Sequence, residues 1–185
     1  MIRQEFREMS ISTAAVRRRR AVPAGSRPPD HDGGEDHRDS IGMAAFSTSI
    51  PLVRSFARAK LAAWGLETAH GWECQQVLSE MATNAFDASG QPAPVDLHAM
   101  DDRALAMILV QLRVSAGHLI AEVRDPSDAC PELAAGGIDD EGGRGLQLVE
   151  ALATEWGWYP IGTGATVTGK VVWASWLLRP DTEAS

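Results

Sequence analysis

Three groups of residues have the types and spacing to do chemistry on a phosphorylated ligand. The first is Glu80, Asn84 and Asp87, at i, i+4 and i+7. In a helix of 3.6 residues per turn these side chains fall within roughly 60° of one another. An amide oxygen can ligate a hard cation, and a carboxylate one turn away can accept a proton from an attacking hydroxyl. A solvated polar face would show the same spacing. The second is Asp125, in Val123-Arg124-Asp125-Pro126-Ser127. A carboxylate at a strand end can accept a hydrogen bond from an exocyclic amine such as that of adenine, although Asp before Pro is also an ordinary turn starter. The third is Gly142-Gly143-Arg144-Gly145-Leu146, which opens an apolar-periodic stretch. Glycines let backbone approach a ligand closely, and a helix start offers free N–H groups and a positive dipole end to phosphate. The third group is neither a Walker A loop, since no GxxxxGK[ST] occurs, nor a Rossmann fingerprint, since no βαβ unit surrounds it.

The elements needed to position these groups are legible from periodicity. Leu52, Val53, Phe56, Ala59, Lys60 and Ala63 follow helical spacing after Pro51, a residue suited to a first turn, and Gly65 ends the pattern. A second helix is expected over about Gly71–Ala88, with Val77, Leu78, Met81, Ala82 and Ala85 as its apolar stripe. Leu105–Val114 and Leu119–Arg124 read as strands around a turn at Ser115-Ala116-Gly117-His118. Residues 125–143 form a long Pro-, Gly- and acid-rich loop, a length associated with lids. A helix is expected over Arg144–Thr154, then strands at Glu155–Tyr159 and Lys170–Leu178. The order predicts an α+β fold, a two-layer sandwich with helices on one face of a mixed, largely antiparallel sheet.

Composition narrows the function classes. The chain has 185 residues, enough for one domain plus an appendage, and 44% hydrophobic residues, enough for a core. No apolar run is long enough to span a bilayer and no secretory signal opens the chain, so a cytoplasmic location without membrane contact is expected. Residues 1–41 hold eight Arg and seven Asp/Glu, net +1; residues 42–185 hold nine Lys/Arg and 18 Asp/Glu, net −9. Such acidity argues against direct nucleic-acid binding and favours a basic protein partner. Residues 1–41 read as a disordered leader with Pro, Gly and the run Arg17-Arg18-Arg19-Arg20, a solvated tail or a contact for an acidic partner or nucleic acid. Translation starting at Met43 is an alternative. Residues 42–180 read as the folded domain and 181–185 as a tail. Neither Cys74 nor Cys130 has zinc spacing; Cys74 is expected on a buried helix face and Cys130 as a free loop thiol. Trp156, Trp158, Trp173 and Trp176 read as core or edge packing, with a partner surface as the alternative.

Order and spacing together resolve the three groups. They resemble the N, G1 and G2 boxes of the Bergerat ATPase superfamily, and most of all the bacterial anti-sigma factor serine/threonine kinases. The resemblance covers roughly Phe46–Leu178. It rests on Arg58 in the first helix, Ser79-Glu80-Met81-Ala82-Thr83-Asn84-Ala85, Val123-Arg124-Asp125-Pro126-Ser127, Gly143-Arg144-Gly145-Leu146, Trp156-Gly157 and Gly169-Lys170-Val171-Val172-Trp173. It implies ATP and Mg²⁺ as cofactors. Glu80 would be the general base and Asn84 the Mg²⁺ ligand; Asp87 and Leu146 would line the ATP site. Asp125 would bind the adenine amine, and Gly143, Arg144 and Gly145 would cradle phosphate. Lys170 would either approach phosphate or face solvent. The implied partners are an anti-anti-sigma-like protein, phosphorylated on serine or threonine, and a sigma factor, with a homodimer as a further expectation. Three positions depart from the family pattern: Ser127 replaces a glycine, Ala88 replaces a histidine, and Val171 replaces a threonine whose hydroxyl would help hold adenine. These departures motivate an alternative, a non-catalytic interaction module that sequesters a regulator.

Overall fold

A computed structural model describes residues 20–29, 35–89, 106–131, 144–163 and 166–178. The elements are β1 (Arg20–Ala21), β2 (Glu35–Ala44), α1 (Ile50–Ala63), α2 (Glu67–Ala88), β3 (Met107–Ser115), β4 (His118–Asp125), α3 (Arg144–Leu152), β5 (Glu155–Thr163) and β6 (Thr166–Leu177). The sheet order is β1-β5-β6-β4-β3-β2. All pairings are antiparallel except that of β1, which runs parallel to β5. The expected α+β sandwich is the observed architecture.

The helices cover one sheet face because their stripes match its alternation. Val53, Ala57 and Leu61 of α1 and Val77, Leu78, Met81 and Ala85 of α2 are buried against Val110 and Leu112 of β3, Leu119, Ala121 and Val123 of β4, and Val172, Ala174 and Trp176 of β6. Truncating one such leucine to alanine typically costs about 2–5 kcal/mol. Pro51 sits in the first turn of α1, and Gly65 follows its end with φ 71, a left-handed conformation that glycine adopts without steric cost. Trp176 closes the core near α3, its indole N–H donating to the Leu152 carbonyl at 2.9 Å. Trp156 is also core, whereas Trp173 is buried on the opposite sheet face. Packing is therefore what these tryptophans do.

The expected leader boundary at residue 41 falls inside β2. β2 runs from Glu35, and Met43, the alternative start, is buried near its end. Farther upstream, residues 20–29 are strapped to the sheet. The N–H groups of Val22 and Gly25 donate to the carbonyls of Trp156 and Trp158 at 3.0 and 2.9 Å. The strap then crosses the outer face. There Ser26 accepts the Trp173 indole N–H at 2.8 Å, and the Arg27 guanidinium lies 4.6 Å from the Tyr159 ring centroid. Gly157 makes this crossing possible, since a Cβ there would stand 2.6 Å from Val22 Cγ2. Low local hydrophobicity concealed the strap; β1 is held by a partner more than a hundred residues away along the chain. Among the described residues no helix is long and apolar enough to cross a membrane.

Candidate functional site

One edge of α2 meets the start of α3. Ser79, buried beside Glu80, accepts the Arg54 Nε–H at 2.8 Å and donates to the Gln75 carbonyl at 2.7 Å, which ties α2 to α1 at this turn. Gly145 then lies against the polar edge. A Cβ on it would stand 3.0 Å from Glu80 Oε2 and 3.3 Å from both Asn84 Oδ1 and Nδ2. The glycine thus lies in close contact with the two side chains expected to do chemistry, and the first turn of α3 is placed beside them. The leading N–H groups of a helix have no intrahelical acceptor. Arg144 opens α3. The Arg144 side chain and Gly143 lie outside the described residues, as does most of the expected lid.

Beside this junction is a cavity of about 250 Å³. Its polar wall comes from Asn84, Asp87, Asp125 and Lys170, and its apolar wall from Met81, Ala85, Leu146 and Val172, with Cys130 at one side. Of the expected site residues, Asn84, Asp87, Asp125, Leu146 and Lys170 therefore share one cavity, with Glu80 and Gly145 packed against Asn84. Met81, Ala85, Val172 and Cys130 were not expected at the site. Met81 stands three residues before Asn84, Ala85 continues the same apolar stripe one turn after Met81, and Val172 follows Lys170 by two on a strand, so periodicity carried a signal for each.

Asp125 ends β4 opposite Lys170 and is 1% exposed. Its Oδ1 accepts the Ser127 backbone N–H and the Lys170 ammonium, each at 2.9 Å. Its Oδ2 is buried with no partner among the described residues. Burial pushes the carboxyl above its ordinary value, while Lys170 and the Ser127 N–H pull the other way without cancelling it. An unpaired buried acceptor costs about 1–3 kcal/mol, so a ligand donor that reached Oδ2 would be favoured there. An exocyclic amine is such a donor, and the apolar wall suits the face of a planar base. The nucleotide base therefore fits the residues present. Mg²⁺ fits more simply, since it usually keeps few protein ligands besides phosphate and water, and Asn84 offers one amide oxygen near the start of α3.

One expectation about β6 needs correcting. Lys170 does not face solvent; it is 5% exposed and ion-paired with Asp125. Val171 points to the other sheet face, where it lines a separate cavity with Arg124 and Tyr159. Ser127 causes no backbone strain, because Ala116 alone among described non-glycine residues has positive φ. Its N–H instead helps to hold Asp125. Ala88 contributes to the cavity wall.

A family model, the histidine kinase-like ATPase domain, matches residues 43–176. The chain belongs to this family. Membership implies ATP binding, and the match contains every site residue described above. A curated relative, the uncharacterized protein SCO4941 of Streptomyces coelicolor, is 35% identical over 83 residues, 43% of this chain and 67% of its own. Among solved structures, the crystal structure of the RsbU and RsbW domains of Rv1364c from Mycobacterium tuberculosis is similar at a TM-score of 0.47 and 22% identity, over 78% of this chain and 33% of that one. The present chain thus spans about a third of that protein's length. The strap at residues 20–29 precedes the segment matched by the family model.

The thiols of this histidine kinase-like ATPase give a direct check on the cavity. Cys74 is fully buried, which pushes its thiol far above the ordinary range, whereas Cys130 is exposed and lines the cavity. Iodoacetamide is expected to label Cys130 faster than Cys74 by on the order of a hundredfold or more, because a buried thiol reacts only from opened states. Saturating ATP is expected to slow labelling of Cys130. Peptide mass spectrometry reads both rates; a Cys130 rate indifferent to ATP would place the nucleotide elsewhere.

Proposed function

We propose that this protein is an ATP- and Mg²⁺-dependent protein serine/threonine kinase that acts on an anti-anti-sigma-like partner and antagonises a sigma factor. The observation that carries the reading is the meeting of Glu80, Asn84 and Gly145 beside a cavity whose wall holds the buried, unpaired Asp125 Oδ2. Bound Mg²⁺-ATP supplies the phosphoryl group and neutralises its charge. The chain's own residues do the positioning. Asp125 accepts from the base, Asn84 offers its amide oxygen to the cation, and the first turn of α3 offers N–H groups to phosphate. Glu80, one turn from Asn84, takes the proton of the attacking hydroxyl. Such catalysis consists mostly of alignment and charge stabilisation. The net −9 charge of residues 42–185 supports a protein partner with a basic surface rather than a nucleic acid. A homodimer belongs to the same proposal.

Calorimetric titration of ATP with Mg²⁺ into wild type and Asn84→Ala tests the site. The variant is expected to bind at least about tenfold more weakly with Mg²⁺ present and to differ little without it, since the amide acts through the cation. Absence of wild-type binding at millimolar nucleotide would remove the kinase reading.

A further inference from the structure

Lys170 is an unusual residue to find in the wall of a base pocket. It is 5% exposed, on the cavity side of β6, in register with Asp125. An ammonium carries three N–H donors. One goes to Asp125 Oδ1 at 2.9 Å and a second reaches the Ser127 carbonyl at 3.4 Å. The third has no acceptor among the described residues. Asp125 Oδ2 is the matching orphan, a buried acceptor without a donor. The pair therefore brings one spare acceptor and one spare donor to the same cavity.

We infer that Lys170 and Asp125 form a two-point reader of the adenine edge, with Lys170 donating to ring nitrogen N1 while Asp125 Oδ2 accepts from the 6-amine. This rests on the ATP-binding reading above. Adenine presents a donor and an acceptor side by side on that edge, complementary to the acceptor and donor of the protein. A neutralising counter-ion alone would not need to line the cavity, and it leaves both orphans unexplained. Lys170 is thus a specificity-determining residue, and phosphate is not its ligand. A base with oxygen at position 6 would set that oxygen against Oδ2 in the same pose, two acceptors facing each other, so the pair selects against it.

The test compares ATP with 1-deaza-ATP, in which N1 is replaced by C–H, by calorimetry on the full chain. Wild type is expected to bind ATP roughly tenfold or more tighter, the usual worth of a hydrogen bond to a charged donor. In Lys170→Met the ratio between the two nucleotides is expected to fall to near one. Equal wild-type affinities would overturn the inference while leaving ATP binding intact; failure of wild type to bind ATP would sink both readings. The wild-type comparison needs no variant, so it stands even if Lys170→Met unfolds. A Lys170→Met variant that folds and keeps the full ratio would also overturn the assignment.

Discussion

Replacing Glu80 with glutamine is expected to slow phosphoryl transfer by about two to four orders of magnitude while changing ATP affinity by no more than a few-fold. The separation follows from position. Glu80 contacts the Gly145 backbone region and sits one turn before Asn84, whereas the cavity wall proposed to take the base is built by Asp125, Lys170 and the apolar residues around them. Glutamine preserves the volume beside Gly145, where a Cβ would already stand 3.0 Å from Oε2, so the α2–α3 junction is undisturbed. What it loses is the capacity to take a proton. Single-turnover transfer of γ-labelled phosphate to a serine-bearing partner measures the rate, and calorimetry measures binding. Transfer at the wild-type rate would exclude Glu80 as the base. Loss of binding along with transfer would mean that Glu80 holds the junction rather than the proton.

The site was legible where its parts are local. Glu80, Asn84 and Asp87 share a helix whose phase is set by the stripe Val77, Leu78, Met81 and Ala85, so their common face follows from spacing alone. Gly145 follows from helix-start chemistry. Lys170 and Val171 show where local reasoning fails. Side chains on a strand alternate between faces, so a one-residue error of phase exchanges the cavity residue for the one behind the sheet. The family pattern drew attention to position 171, whereas the pairing of Lys170 with Asp125 puts position 170 on the cavity side. That pairing joins residues 45 apart along the chain, and neither segment encodes it. The strap failed for the same reason. Val22 and Ser26 owe their order to Gly157 and Trp173, and a reading of residues 1–41 by composition sees only polar, Pro- and Gly-rich chain.

Gly169→Ala is expected to damage both the sheet and the site. Gly169 has φ 154, and a Cβ there would stand 2.3 Å from the Asp125 carbonyl oxygen and 3.1 Å from Pro126 Cα. Both are backbone atoms and cannot rotate away. Either β6 leaves β4 or the turn that carries Asp125 moves outward. Strain of this kind costs about 1–3 kcal/mol. The cost falls on the site as well, because the next residue is Lys170 and its 2.9 Å contact to Asp125 depends on the same close approach. ATP affinity is therefore expected to fall at least about tenfold, beyond what partial unfolding explains, since a charge-assisted hydrogen bond of this kind is worth roughly that factor. Gly42→Ala is the matched control. It also lies in a strand, has no neighbour within 4 Å of its would-be Cβ and no left-handed φ, so stability and binding should stay near wild type. Urea unfolding and ATP titration of the two variants separate the effects. Wild-type binding by folded Gly169→Ala would mean that the Asp125–Lys170 pair does not need this approach, and that glycine is there only for the strand's own backbone.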